Sequence, residues 1–147
     1  MDDKSRVIVP IKWRETLGTK VFLVRSLDGT NCIWGFSEAE FDRFSDQLQR
    51  GVSMGDLEGL DQLRYVQSSL AEVEVDKQGR IPVPAKLRDH AVIAAPQEGQ
   101  RGANVKVVGM FTWFEIWNPE KYTERLARTQ TETLLKKLDK AREPRLE

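Results

Sequence analysis

With one cysteine, Cys32, and one histidine, His90, in 147 residues, the chain can form no internal disulfide and no thiolate or histidine metal cluster. It carries no net charge either, 23 Lys and Arg being balanced by 23 Asp and Glu, so the sum points to no partner. No apolar run approaches the length that spans a bilayer, and no charged-then-apolar leader opens the sequence. A cytoplasmic protein without a membrane partner is expected. There is no Gly-x-Ser-x-Gly elbow, no glycine-rich phosphate loop and no metal-ligand cluster. Asp42, Asp46, Asp56, Glu58 and Asp61 read as solvated helix faces, Cys32 as core, and His90 as a surface residue at a helix end. These absences argue against an enzyme, a cofactor or a small-molecule substrate.

What is present is a duplication. Asp2-Asp3-Lys4-Ser5-Arg6-Val7-Ile8-Val9-Pro10-Ile11-Lys12-Trp13-Arg14 aligns without a gap on Asp76 to Arg88, an offset of 74. The second copy reads strand (Val73–Val75), turn (Asp76–Gly79), strand (Ile81, Val83) and a short helix opened by Pro84. A second anchor, Phe36-Ser37 to Phe41 against Trp117-Asn118-Pro119 to Tyr122, lies at an offset of 81. The seven extra residues fit the polar, glycine-bearing loop Pro96–Ala103, which the first copy lacks. Only Met1 precedes Asp2, so the first copy is expected to lack its leading strand.

Between the anchors the periodicity is plain. A helix is expected over Pro10–Leu17, with Gly18 past its end, then strands at Val21–Val24 and Cys32–Phe36 around an Asp28-Gly29 turn. Ser37 to Glu40 is a capping box, with Phe36 placed to staple onto Phe41 and a helix running to Arg50. Gly51–Gly55 breaks it. Leu57, Leu60, Leu63, Val66 and Leu70 then give an amphipathic connector. Strands at Val105–Met110 and Phe114–Trp117 follow, and one long helix is expected from Pro119 to Arg142, weakened by Thr129, Thr131 and Thr133. The division is a first repeat over 1–50, a connector over 51–70, a second repeat over 71–122 and a C-terminal helix over 123–147. The fold class is α+β, two small β-rich repeats with pseudo-two-fold symmetry and flanking helices.

Charge placement is uneven although the sum is zero. Residues 1–25 carry six Lys and Arg against three Asp and Glu, whereas residues 36–75 carry three against nine. Each duplicated loop sets an acid and an arginine four positions apart, Asp2 with Arg6 and Asp76 with Arg80, so a carboxylate and a guanidinium can meet bidentately and fix the loop. That pairing is compatible with a purely structural loop. It is equally compatible with a basic strand-loop-strand edge that enters a major groove, with Lys4 and Lys77 in the loops and Lys12, Arg14, Lys86 and Arg88 on the adjoining turns.

The repeated Asp-x-x-x-Arg followed by x-x-x-Pro-x-x-hydrophobic-Arg, with Val107-Val108-Gly109 leading to Phe114-Glu115-Ile116-Trp117 and a helix, resembles the MraZ family, and each half resembles a SpoVT-AbrB swapped-hairpin domain. The resemblance covers nearly the whole chain and is looser in the first half. It implies a sequence-specific, DNA-binding transcriptional regulator of the division and cell-wall gene cluster. Such a protein is nucleoid-associated, acts without cofactor, and reads short repeats in double-stranded promoter DNA as a ring-like homo-oligomer. Mapped onto this sequence, Lys4 and Arg6 are the first candidates for base and phosphate contact, Lys77 and Arg80 the second, with Lys12 beside them. Asp2, Asp76 and Gly79 shape the loops, and Arg14 and Arg88 pack and pair within their own repeats. The sequence departs from the pattern at Ser5, which stands where the second copy has Gly79, and at Trp34-Gly35, which interrupts an apolar strand. Two other classes remain open. One is an oligomeric protein-interaction module of the same fold with a degenerate first loop. The other is an antitoxin, disfavoured because such proteins carry one copy and a disordered tail.

Overall fold

The computed structural model describes residues 1–129 and 131–142. In chain order the first repeat gives β1 (Arg6–Ile8), α1 (Ile11–Leu17), β2 (Lys20–Arg25), β3 (Ile33–Ser37), α2 (Glu38–Arg50) and α3 (Leu57–Ser69). The second gives β4 (Ala71–Glu74), β5 (Arg80–Pro82), α4 (Ala85–His90), β6 (Lys106–Gly109), β7 (Phe114–Trp117), α5 (Pro119–Arg128) and α6 (Thr131–Arg142). The α+β class and the duplication hold.

The strands of the two repeats interleave. β1 pairs antiparallel with β5, placing Val7 opposite Ile81, two positions related by the offset of 74. The remaining strands form one antiparallel sheet in the order β4-β2-β3-β7-β6. At its centre β3 pairs β7 with Trp34 opposite Glu115, related by the offset of 81. The pseudo-two-fold axis therefore runs through both pairs. The two outer edges differ: β4 lies on the outer edge of β2, whereas among the described residues β6 pairs with β7 alone.

The core draws on both repeats, with Val7, Leu23 and Ile33 packed with Ile81, Leu87 and Ile116. On the other face of the sheet Val24, Phe36 and Val66 are buried beneath α2 and α3. The cap and staple readings are recovered at both anchors, except that the capping box at Ser37 is half made, the Glu40 carboxylate pairing with Arg43 and not with the Ser37 N–H. Ser37 accepts the Glu40 N–H at 3.2 Å and Phe36 meets Phe41 edge-on; Asn118 accepts the Glu120 N–H at 2.9 Å and Trp117 meets Tyr122. Glu115 is buried where the axis crosses the sheet. It accepts indole N–H bonds from Trp113 and Trp117 at 3.2 and 2.9 Å, which satisfies its carboxylate without a cation.

Two expectations need correction. The long C-terminal helix is interrupted at Thr129, whose backbone is extended at φ −80°, ψ 98°, so α5 and α6 repeat the pattern of α2 and α3. The β-branched threonines that weaken the middle supply the reason. Gly35, read as an interruption, is instead required by packing. It pairs with Phe114, and a Cβ there would lie 2.2 Å from Phe114 Cζ. The ring fills the space that glycine leaves.

Gly35→Ala should accordingly destabilise the fold by about 2 kcal/mol through overpacking, read as a lower urea midpoint at unchanged slope. Adding Phe114→Leu should recover part of the loss. Equal midpoints for Gly35→Ala and wild type would show that the contact is not a constraint.

Candidate nucleic-acid interface

The two duplicated loops meet beside the axis and are built alike. Asp2 Oδ1 accepts the backbone N–H groups of Lys4 and Arg6 at 3.0 and 2.8 Å, while Oδ2 accepts Arg6 Nε–H at 2.7 Å. Asp76 does the same with Gln78 and Arg80, both backbone bonds at 2.9 Å, and with Arg80 Nε–H at 2.8 Å. An aspartate that bonds the backbone two residues on is the usual device for a tight turn. Each carboxylate thus divides its oxygens between backbone and guanidinium, which corrects the expectation of a bidentate fork. The pairs also cross the axis: Arg80 Nη1 lies 3.4 Å from Asp2 Oδ2 and Arg6 Nη1 lies 3.9 Å from Asp76 Oδ2. Four charges, two of each sign, form a closed ring about a quarter to a third exposed.

Both carboxyls are held below the ordinary value of 3.8. Burial opposes ionisation of Asp2, but the N–H bonds from Arg6 and Lys4 and the Arg6 guanidinium together outweigh it. At Asp76 the Arg80 backbone N–H leads, opposed by burial and helped by the Arg80 side chain.

Ser5 and Gly79 occupy the same left-handed conformation, at φ 59° and 77°. Gly79 suits the positive φ, and the Arg14 guanidinium packs into the space beside it, 2.2 Å from where a Cβ would stand. Arg14 lies over the second loop while its Nε–H bonds Val9 O at 3.0 Å. On the other side of the axis the Arg88 guanidinium donates to the Ser5 hydroxyl. The reading of Arg14 and Arg88 as bracing their own repeats therefore holds for the Arg14 bond to Val9 but not for Arg88, which bonds the first loop at Ser5, and Arg14 also lies against the second loop at Gly79. Backbone bonds repeat the exchange, Val9 N–H to Gly79 O at 2.8 Å and Val83 N–H to Ser5 O at 3.0 Å.

Of the candidate cations, Lys4 and Lys77 are exposed at the loop tips, and among the described residues neither enters an ion pair. Lys12 is also exposed but stands apart, in a shallow cleft with Trp13 and Phe111. Lys20 pairs with Glu72 at 3.3 Å, tying β2 to β4. Sequence reasoning passed over Arg101, which lines a cleft of about 450 Å³ together with Asp2, Arg6 and Arg80. Its signal was available, because Arg101 is the one cation in the inserted loop 96–103. The burial of Cys32 pushes its thiol up to about 12, leaving it inert.

Residues 1–62 and 69–143 match the family described as "MraZ protein, putative antitoxin-like". The chain belongs to the MraZ family. Proteins named transcriptional regulator MraZ are similar to it over most of both lengths. That of Acetivibrio thermocellus is 36% identical over 122 residues, 83% of this chain and 78% of its own. That of Micrococcus luteus is 35% identical over 127 residues, 86% and 81%. That of Ligilactobacillus salivarius is 34% identical over 122 residues, 83% and 78%. The MraZ match takes in both loops, the seven described strands and the helices other than residues 63–68 of α3, so the duplicated frame belongs to the family and not to one half of this chain.

The ring of charges sets a pH dependence. Asp2 and Asp76 have folded-state pKa values below their unfolded ones, so their contribution is full above about pH 4 and fades as pH falls through the folded values. The thermal midpoint of wild type should drop on acidification below about pH 4. The Asp2→Asn, Asp76→Asn double variant should start lower and drop less. Parallel curves would mean that the two carboxylates carry none of the acid sensitivity.

Proposed function

We propose that the chain is a sequence-specific, DNA-binding transcriptional regulator of the division and cell-wall gene cluster, working in the cytoplasm at the nucleoid as a ring-like homo-oligomer on short promoter repeats. The observation that carries this reading is the paired loop itself. A closed ring of ion pairs makes the two turns one rigid edge, and that edge turns Lys4 and Lys77 outward beside Arg6 and Arg80, whose side chains are 26% exposed. The names of the relatives supply the context of transcription.

The division of labour follows from the charges. Arg6 and Arg80 spend part of their donors on Asp2 and Asp76, which fixes the plane in which the remaining N–H groups face a base edge. Lys4 and Lys77, without such partners, take phosphates, and Lys12, which stands apart on α1, takes one farther along the backbone. No metal or cofactor enters this scheme. A second reading has its own observation: Asp2 and Asp76 cancel two guanidiniums, so the loops hold the fold and the protein acts as an oligomeric interaction module.

Titration of labelled DNA from the upstream region of its own gene, over a salt series, separates them. On the regulator reading, Lys4→Ala and Lys77→Ala each lower affinity about equally on cognate and scrambled DNA and each reduce the salt slope by about 1. Arg6→Ala and Arg80→Ala cost about 1–3 kcal/mol and relax sequence preference. Failure of the folded wild-type oligomer to prefer its upstream fragment over scrambled DNA leaves the interaction-module reading in its place.

A further inference from the structure

α2 and α3 leave an apolar groove of about 290 Å³ between them, lined by Phe41, Phe44, Leu48, Leu63, Val66 and Leu70. By the pseudo-symmetry, α5 and α6 follow β7 as α2 and α3 follow β3. Their apolar side chains are not covered: Leu126, Leu134 and Leu138 are 53%, 51% and 48% exposed. Leu134 and Leu138 lie four apart, on one helix face. The chain thus presents an apolar groove and an apolar ridge, and no residue of the ridge lines the groove.

Charge says what covers them. α2 and α3 carry six acidic residues against three basic, whereas α5 and α6 carry seven basic against four acidic. Groove against groove sets acid on acid, and ridge against ridge sets base on base. Groove against ridge satisfies both the apolar surfaces and the opposite net charges of their helices. We propose that the α6 ridge of one copy, through Leu134 and Leu138, docks in the α2–α3 groove of a second copy. Such a contact is heterologous, so every copy offers one free groove and one free ridge, and the chain of contacts closes into a ring or runs on. The inference rests on the ring-like oligomer of the proposed function and assigns its interface.

Sedimentation velocity on the full chain without DNA tests it. Wild type should associate, and Leu134→Glu or Leu138→Glu, both at exposed positions, should weaken association by at least about a hundredfold. In the groove, Leu48→Lys should do the same, with Gln67→Arg, at an exposed position that also lines the groove, as a variant that leaves the core untouched. An equimolar mixture of Leu138→Glu and Gln67→Arg should form dimers and nothing larger, because one intact ridge then meets one intact groove. Variants that keep the wild-type size, a mixture that stays monomeric, or a wild type that is monomeric at high micromolar concentration each overturn the interface. The readout needs no DNA, so its failure leaves the DNA-binding reading standing. Loss of DNA binding in Lys4→Ala with an intact oligomer leaves the interface standing.

Discussion

The pairing of Arg6–Ile8 with Arg80–Pro82 is the constraint on which the rest depends. Two strands of three residues are far too short to hold together alone. They persist because Val7 and Ile81 are buried between them and because the flanking turns are locked by four ion pairs and two cross-axis backbone bonds. Since each strand belongs to a different repeat, neither repeat has a complete core without the other. Interleaving also lays β4 on β2, so one continuous sheet takes the place of two small ones. The contacts that define the fold join positions 74 and 81 apart, and loop closure must precede their reward.

Where symmetry is broken, the magnitudes decide whether the break is tolerated. A serine held at φ 59° costs on the order of 1 kcal/mol relative to glycine. A hydrogen bond from a charged donor returns roughly 1.5–3 kcal/mol, and the Arg88 guanidinium supplies one to the Ser5 hydroxyl. The loop with serine is therefore no weaker than its counterpart, where Gly79 bears no strain and makes room for Arg14. At the sheet centre the exchange runs the other way. Gly35 gives up a side chain so that Phe114, opposite it, keeps a ring that is 1% exposed.

Much of this was legible in the sequence, for physical reasons that differ by residue. The duplication showed because Asp, Arg and Pro recur at positions that a tight turn and a helix start demand. Caps and staples showed because they are local. The cross-axis contacts did not, because nothing in the spacing of Arg14 or Arg88 says whether the nearest Gly79 or Ser5 belongs to the same half or the other. Gly35 read as an interruption for the same reason: its partner Phe114 is 79 residues away. The break at Thr129 was half legible, as a weak stretch whose consequence depends on what the two helical pieces pack against. At the candidate site the spacing announced the acid–arginine pairing, but the closure of two pairs into one ring depends on β1 meeting β5.

That closure bears on how a chain with balanced charge would hold a polyanion. The ring sums to zero, so on the regulator reading the attraction comes from the lysines outside it, a handful of phosphate contacts per copy. Each contact contributes about −0.9 to the salt slope, and few contacts give weak binding at physiological salt. Arg6 and Arg80, oriented but partly satisfied, add discrimination more than affinity. Tight binding then has to come from copies joined at fixed spacing, where the second contact is intramolecular and effective concentration multiplies modest affinities by 10²–10⁴. The economy is consistent: neutral, rigid loops keep a single copy from clinging to every duplex it meets, and assembly restores strength only where several boxes line up.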